Sequence, residues 1–278
     1  MKYALMLFYV LIASTALGRA QVLKGEPSLQ GYQVQTDGFL RATPSAGKPL
    51  DQHLDMWMTL PKSTAPIRQF QTEMTKKAHV IFVSDDFKTF LHVHPTLSPT
   101  GHFLLIQPFP APGTYFVYAD ALPSDLNHQV FRFKIDVGKP SPPAARNLQA
   151  TGKGVQVGPY EVDLSTVRIH SGQTEMVDVQ ILENGKPAKD LHPYLGASAH
   201  AVFLNAKDLS YVHVHPMAAG MMQMDMSKPM PDLPDTASVS SDMMLHIALR
   251  EPGTYRLWLQ FLGAGNKLYV AEFTILAS

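Results

Sequence analysis

Beyond residue 30 the chain lacks the three-to-four-residue hydrophobic spacing that builds amphipathic helices. Short apolar segments recur instead, separated by Gly, Pro, Asp and Asn, which predicts an all-β chain. In the first half they fall at 80–83, 90–93, 115–118 and 130–135; in the second, at 201–204, 211–214, 255–261 and 268–275. The two halves repeat one pattern. HVIFVSDDFKTFLHVHP (79–95) aligns without a gap on HAVFLNAKDLSYVHVHP (200–216), and Pro-Gly-Thr-Tyr recurs at 112–115 and 252–255. The repeat predicts two tandem immunoglobulin-like β-sandwich domains, 29–138 and 151–278, related by internal duplication. A proline-rich linker, 139–150, separates them.

Residues 1–20 stand outside this pattern. Lys2, an apolar run over 4–13 and small residues around 14–20 read as a cleaved signal peptide. The run is short for a membrane span and nothing later is transmembrane in character, so no membrane insertion is expected after cleavage. The expected location is periplasmic or secreted. Cysteine is absent, which removes disulfides, thiolate ligands and a cysteine nucleophile from consideration. Basic and acidic residues balance at 23 each, so there is no electrostatic case for a nucleic-acid partner.

The repeated signature is His-x12-His-x-His-Pro. If each copy is a hairpin turning at its midpoint, between Asp85 and Asp86 or between Ala206 and Lys207, His79 faces His92 and His200 faces His213. His94 and His215 lie two residues along, on the same sheet face. Each domain then gathers three imidazoles on a semi-exposed face beside Phe90 or Tyr211, while Leu91, Val93, Val212 and Val214 point to the core. Imidazole clusters without carboxylate or cysteine suit copper or zinc. The alternative is that the histidines merely line a polar sheet face.

The second repeat carries an insertion, 217–242, rich in methionine. Met217, Met221, Met222, Met224, Met226 and Met230 follow His215 closely among Gly, Ser, Pro and Asp. Thioethers are soft ligands that select Cu(I). Packing onto the sheet or onto a partner protein is the other explanation. No catalytic motif appears, and no enzymatic activity is expected. Asp85 and Asp86 read as turn residues and Trp258 as core. Tyr115 and Tyr255 read as turn-to-sheet ties of the tyrosine-corner kind. Asp120, whose repeat partner is Gln260, reads as incidental.

PYLGASAH (193–200), the HVHP runs (92–95, 213–216) and YRLWLQF (255–261) resemble those of an uncharacterised family of bacterial secreted proteins with paired β-sandwich domains. The resemblance implies the fold and no settled activity. The first domain has no Pro-Tyr-Leu-Gly block before His79, which argues against a matched second site.

The reading these residues favour is an exported metal-binding protein, copper preferred and zinc the alternative, that binds, buffers or transfers the ion. His200, His213 and His215 with Met217, Met222, Met224 and Met226 form its main site, and His79, His92 and His94 a lesser one. The rival is an envelope scaffold or adhesion module that binds another envelope protein and has no metal role.

Overall fold

The computed structural model describes residues 21–28, 33–139, 142, 145, 146, 148–218 and 232–278. The signal segment, part of the linker, and Met221, Met222, Met224, Met226 and Met230 lie outside the described residues.

The first domain runs β1 (Val22–Lys24), β2 (Glu26–Pro27), β3 (Asp37–Ser45), β4 (Lys48–Thr59), β5 (His79–Ser84), β6 (Phe90–Val93), β7 (Thr96–Leu97), β8 (His102–Pro108), β9 (Gly113–Ala121) and β10 (Gln129–Val137). The second runs β11 (Gly154–Val157), β12 (Tyr160–Leu164), β13 (Arg168–Ile169), β14 (Glu175–Glu183), β15 (Lys186–Pro187), β16 (His200–Asn205), β17 (Tyr211–Val214), β18 (Met217–Ala218), β19 (Asp242–Ile247), β20 (Gly253–Gly263) and β21 (Lys267–Ala277). No helix among the described residues is long and apolar enough to cross a membrane.

Each domain is a sandwich of two sheets. In the first they are ordered β1-β3-β4-β8-β7 and β2-β10-β9-β5-β6. In the second they are β11-β12-β14-β19-β18, with β15 beside β14, and β13-β21-β20-β16-β17. The order β10-β9-β5-β6 recurs as β21-β20-β16-β17, so the duplication seen in the sequence is also one of topology. In the first domain the N-terminal strands β1 and β2 split between the two sheets, in the second β13 joins β21 in parallel, and the arrangement is immunoglobulin-like. Tyrosine corners close both copies: Tyr115 Oη donates to the Ala111 carbonyl at 2.9 Å, and Tyr255 Oη to the Glu251 carbonyl at 2.7 Å.

The strands that carry the histidines are apolar on both faces for a physical reason. From β5, Val80 and Phe82 enter the first domain's own core; from β16, Ala201 and Phe203 enter the second's. Their neighbours Ile81, Val83, Val202 and Leu204 point the other way, into a third core between the domains. Phe87, Tyr118, Tyr211 and Trp258 complete that core. Trp258 is fully buried there, stacked on Phe90 at 4.8 Å and edge-on to Phe87 at 5.7 Å. A strand buried on both sides has no use for alternation, which accounts for the unbroken VIFV and AVFL runs. Leu91, Val93, Val212 and Val214 pack on their own domains' cores as expected.

Arg146, from the linker, fastens the two hairpin turns together. It donates to the Asp85 carbonyl at 3.0 Å, to Asp85 Oδ1 at 2.7 Å and to the Ala206 carbonyl at 2.9 Å. Its guanidinium also lies over Phe87 and Phe116, at 5.4 and 5.2 Å. The two His-bearing sheets therefore face each other. The expectation of a semi-exposed histidine face is corrected: that face is the interdomain interface.

Candidate metal centre

The hairpins pair two residues out from the expected register. Val80 faces Val93 and Ile81 faces His92, while Ala201 faces Val214 and Val202 faces His213. The cause is the turn. Four residues connect Ser84 to Thr89, with Phe87 at φ 61° and its ring anchored between the domains. Four likewise connect Asn205 to Ser210, with Leu209 at φ 63°. Side chains alternate with period two, so a shift of two keeps every histidine on its predicted face. Across the sheet His79 pairs with Asp120 on β9, and His200 with Gln260 on β20.

The structure brings all six histidines into one cluster. Ring centroids across the domain boundary are as close as those within a domain: His79 to His213 is 5.2 Å and His92 to His200 is 5.2 Å, against 5.3 Å for His79 to His92. Two separate and unequal triads were expected from sequence. The domains instead pack their triads face to face. One ring nitrogen from each of His79, His92, His200 and His213 lies within 4.8 Å of the others.

Hydrogen-bond partners fix which nitrogen of each ring is bare. His79 Nε2 is 3.1 Å from the Glu73 carbonyl, an acceptor only, so the proton sits on Nε2 and the lone pair on Nδ1. His92 Nδ1 donates to Gln260 Oε1 at 2.7 Å, which leaves Nε2 bare. His200 Nε2 donates to the Tyr194 carbonyl at 2.9 Å, leaving Nδ1 bare, and His213 Nδ1 donates to Asp120 Oδ2 at 3.3 Å. The nitrogens so oriented then meet. His79 Nδ1 and His92 Nε2 are 3.0 Å apart, each is 3.2 Å from His94 Nε2, and His200 Nδ1 is 3.3 Å from His213 Nε2. His215 Nε2 is buried without a hydrogen-bond partner.

Burial and mutual repulsion disfavour protonation of His79, His92, His94, His200 and His215. Burial, with repulsion from His213 next, pushes His79 down to about 4. Burial, then His79 and Lys76, takes His94 to about 3. His92, His200 and His215 are held well below the ordinary value, by burial first and neighbouring histidines second. A shared proton could link one pair of facing lone pairs; a metal ion satisfies a whole triangle at once.

Behind the rings stand residues that sequence reasoning passed over. Asp120, read as incidental, is corrected: it is buried at 1% exposure and accepts from His213, from Tyr211 Oη at 3.0 Å and from His128. Burial alone would raise its pKa, but His128 and His213 hold it well below the carboxylate range. Asp120 and Glu73 in turn lift His128 to about 9 against the opposing effect of burial. The supporting residues cross over: Asp120 of the first domain orients a ring of the second, and Gln260 of the second orients a ring of the first.

The missing Pro-Tyr-Leu-Gly block does not unbalance the pair either. Glu73 bridges Lys76 around Met74 and Thr75, as Tyr194 bridges Ala197 around Leu195 and Gly196, with positive φ at both central residues of each turn. Both turns present a carbonyl to a histidine six residues on. Their shared backbone shape is not written in a shared sequence. Met217 lies on β18, buried and paired with Met244, in the sheet opposite the histidines. Asp86 is a turn residue, accepting from Ser84 Oγ at 2.6 Å and from the Lys88 amide at 3.1 Å.

A family model described as "Domain of unknown function (DUF8832)" matches residues 28–139 and 155–278. No curated protein matches the chain. Among solved structures it is similar to the chicken interferon gamma receptor alpha chain, at 12% identity over 85% of this chain and 95% of that one, TM-score 0.24. It is also similar to a two-domain fibronectin type-III segment of chicken tenascin, at 11% identity over 90% and 99%, TM-score 0.22. A DUF3823 family protein from Bacteroides ovatus shares 8% identity over 74% and 91%, TM-score 0.23.

Proposed function

Starting from a chain that belongs to the DUF8832 family, we propose an exported metal-binding protein whose interdomain histidine cluster takes copper by preference and zinc as the alternative. Its role is to bind, buffer or pass on the ion in the periplasm or outside the cell. The observation that carries this reading is the convergence of lone pairs. Protein acceptors behind His79, His92 and His200 hold the protons on the outer nitrogens, so the inner ones point at each other with nothing to share. Neutral imidazole nitrogen is a good ligand for Cu and Zn. Met221, Met222, Met224, Met226 and Met230 supply soft donors suited to collecting Cu(I) before it reaches the cluster.

The test is metal binding by tag-free protein, with His92→Ala plus His213→Ala as control. These two changes take one ligand from each domain and should lower copper and zinc affinity by at least about 100-fold. Equal affinity in wild type and the double variant sinks the reading. A pull-down partner retained by that same variant would then point to the scaffold role.

A further inference from the structure

How many ions the cluster holds follows from its geometry, given the metal-binding reading on which this step rests. We infer that it is a dinuclear centre, one ion in each domain's triad, with the two ions joined by a small bridging anion such as hydroxide.

The first triad has the dimensions of a facial ligand set. His79 Nδ1, His92 Nε2 and His94 Nε2 form a triangle with sides of 3.0, 3.2 and 3.2 Å. An ion about 2.0–2.1 Å from each nitrogen sits roughly 1 Å out of that plane and keeps an open position. The second triad has the same three rings in a less closed arrangement. His200 Nδ1 and His213 Nε2 are 3.3 Å apart. His215 packs its ring 4.5 and 4.7 Å from theirs, as His94 does at 4.9 and 4.8 Å, but its buried Nε2 meets no hydrogen-bond partner, so a small turn of this ring toward the other two closes the second triangle.

One ion does not use both sets in full. One nitrogen from each of His79, His92, His200 and His213 lies within 4.8 Å of the others, so a single ion shared by these four would draw the rings inward, since two nitrogens on one ion are at most about 4.1 Å apart, and would leave His94 and His215 unused. Six imidazoles also exceed the coordination number these ions prefer. The ring separations of 5.2–6.4 Å across the boundary bring the two positions close, in keeping with the roughly 3.5–4 Å typical of two-metal sites. Two cations at that distance repel. Asp120 is the carboxylate that reaches a triad ring, and it offsets one positive charge; a bridging anion offsets more.

The experiment loads the full chain with Cu(II), removes excess ion, and measures copper content, electron paramagnetic resonance and the response to azide, a bridging-anion probe. Two coppers per chain with most of the two-spin signal lost to magnetic coupling is the expected result, with an azide-to-copper absorption band. His94→Asn and His215→Asn should each fall to one copper with a full one-spin signal and no coupled band. The wild-type content and signal decide the matter even if a variant does not fold. One copper with one full spin overturns the dinuclear centre and leaves metal binding standing. Two coppers with two independent spins overturn the bridge, and a chain that takes up neither copper nor, in a parallel loading, zinc overturns both readings.

Discussion

The two halves of the histidine cluster share a backbone and differ in what stands behind it. In the first domain the residue paired with the β5 histidine is Asp120; in the second, the residue paired with the β16 histidine is Gln260. Tyr211 occupies the place that Phe90 holds in the other copy, by the matched hairpin registers. His128 occupies that of Leu268, since Gln129 pairs with Ala121 as Tyr269 pairs with Phe261. The acid, its histidine and its tyrosine form one connected group, whereas Gln260 bonds His92 without a charge. Duplication has kept the histidines and their orientation while making one side anionic. Because the supports cross the domain boundary, the anion sits behind a second-domain ring.

The largest consequence is the pH dependence of the metal-free chain. Folded values well below the ordinary 6.5, such as those of His79 and His94, mean that the unfolded chain binds more protons, so stability falls as pH drops from about 6.5 toward 4. His128 has the opposite sign: its folded value near 9 contributes stability that is fully present below about 6.5 and lost as pH rises through 9. Urea midpoints should therefore peak near neutrality. His128→Leu, which copies the second domain, should flatten the alkaline limb and leave the acid limb in place. An alkaline limb that survives this change would mean that the anionic group is not its source.

Removing the supports separates the halves further. Asp120→Ala leaves the Tyr211 hydroxyl and the His213 N–H unmatched in a buried site and takes from His128 its nearer carboxylate, with Glu73 remaining at 3.5 Å, at a cost of about 3–5 kcal/mol. Gln260→Ala strands one N–H of His92 and should cost about 1–3 kcal/mol. Denaturation of both metal-free variants checks the ordering, and equal losses would erase the asymmetry. On the metal side, Asp120→Asn and Gln260→Leu should each weaken binding about 10–100-fold, because a ligand ring loses its orienting acceptor. Competition with a chelator reads that effect.

Much of this was legible in the chain. The repeat, the alternating apolar segments and the turn residues led to the two sandwiches, and the spacing of His79, His92 and His94 led to one face. The register was misplaced because Phe87 and Leu209 adopt left-handed backbone, which lengthens each turn for the sake of contacts in the other domain. The union of the triads was hidden for the same reason: it depends on which faces meet, and no local pattern states that. A signal did exist. VIFV and AVFL are apolar on both faces, so the face carrying the histidines had to be covered. Asp120 was set aside because its repeat partner is an amide, yet Asp120 and Gln260 both accept a hydrogen bond from an imidazole N–H, which makes them equivalent supports of different charge.

The finest difference is a single oxygen. Tyr211→Phe copies Phe90 and keeps the ring, which stacks on Tyr118 at 5.0 Å. It deletes one donor to Asp120 and leaves the bonds from His128 and His213 in place. With both partners of a buried bond present the net contribution is modest, but the carboxylate still holds its charge with one donor fewer, so the expected loss is about 1–1.5 kcal/mol. The lost donor also lets Asp120 pull harder on the His213 N–H, which makes that ring a better ligand. Stability should therefore fall slightly while metal affinity holds or rises. A variant that loses both together would show Tyr211 to be structural and no part of the charged support.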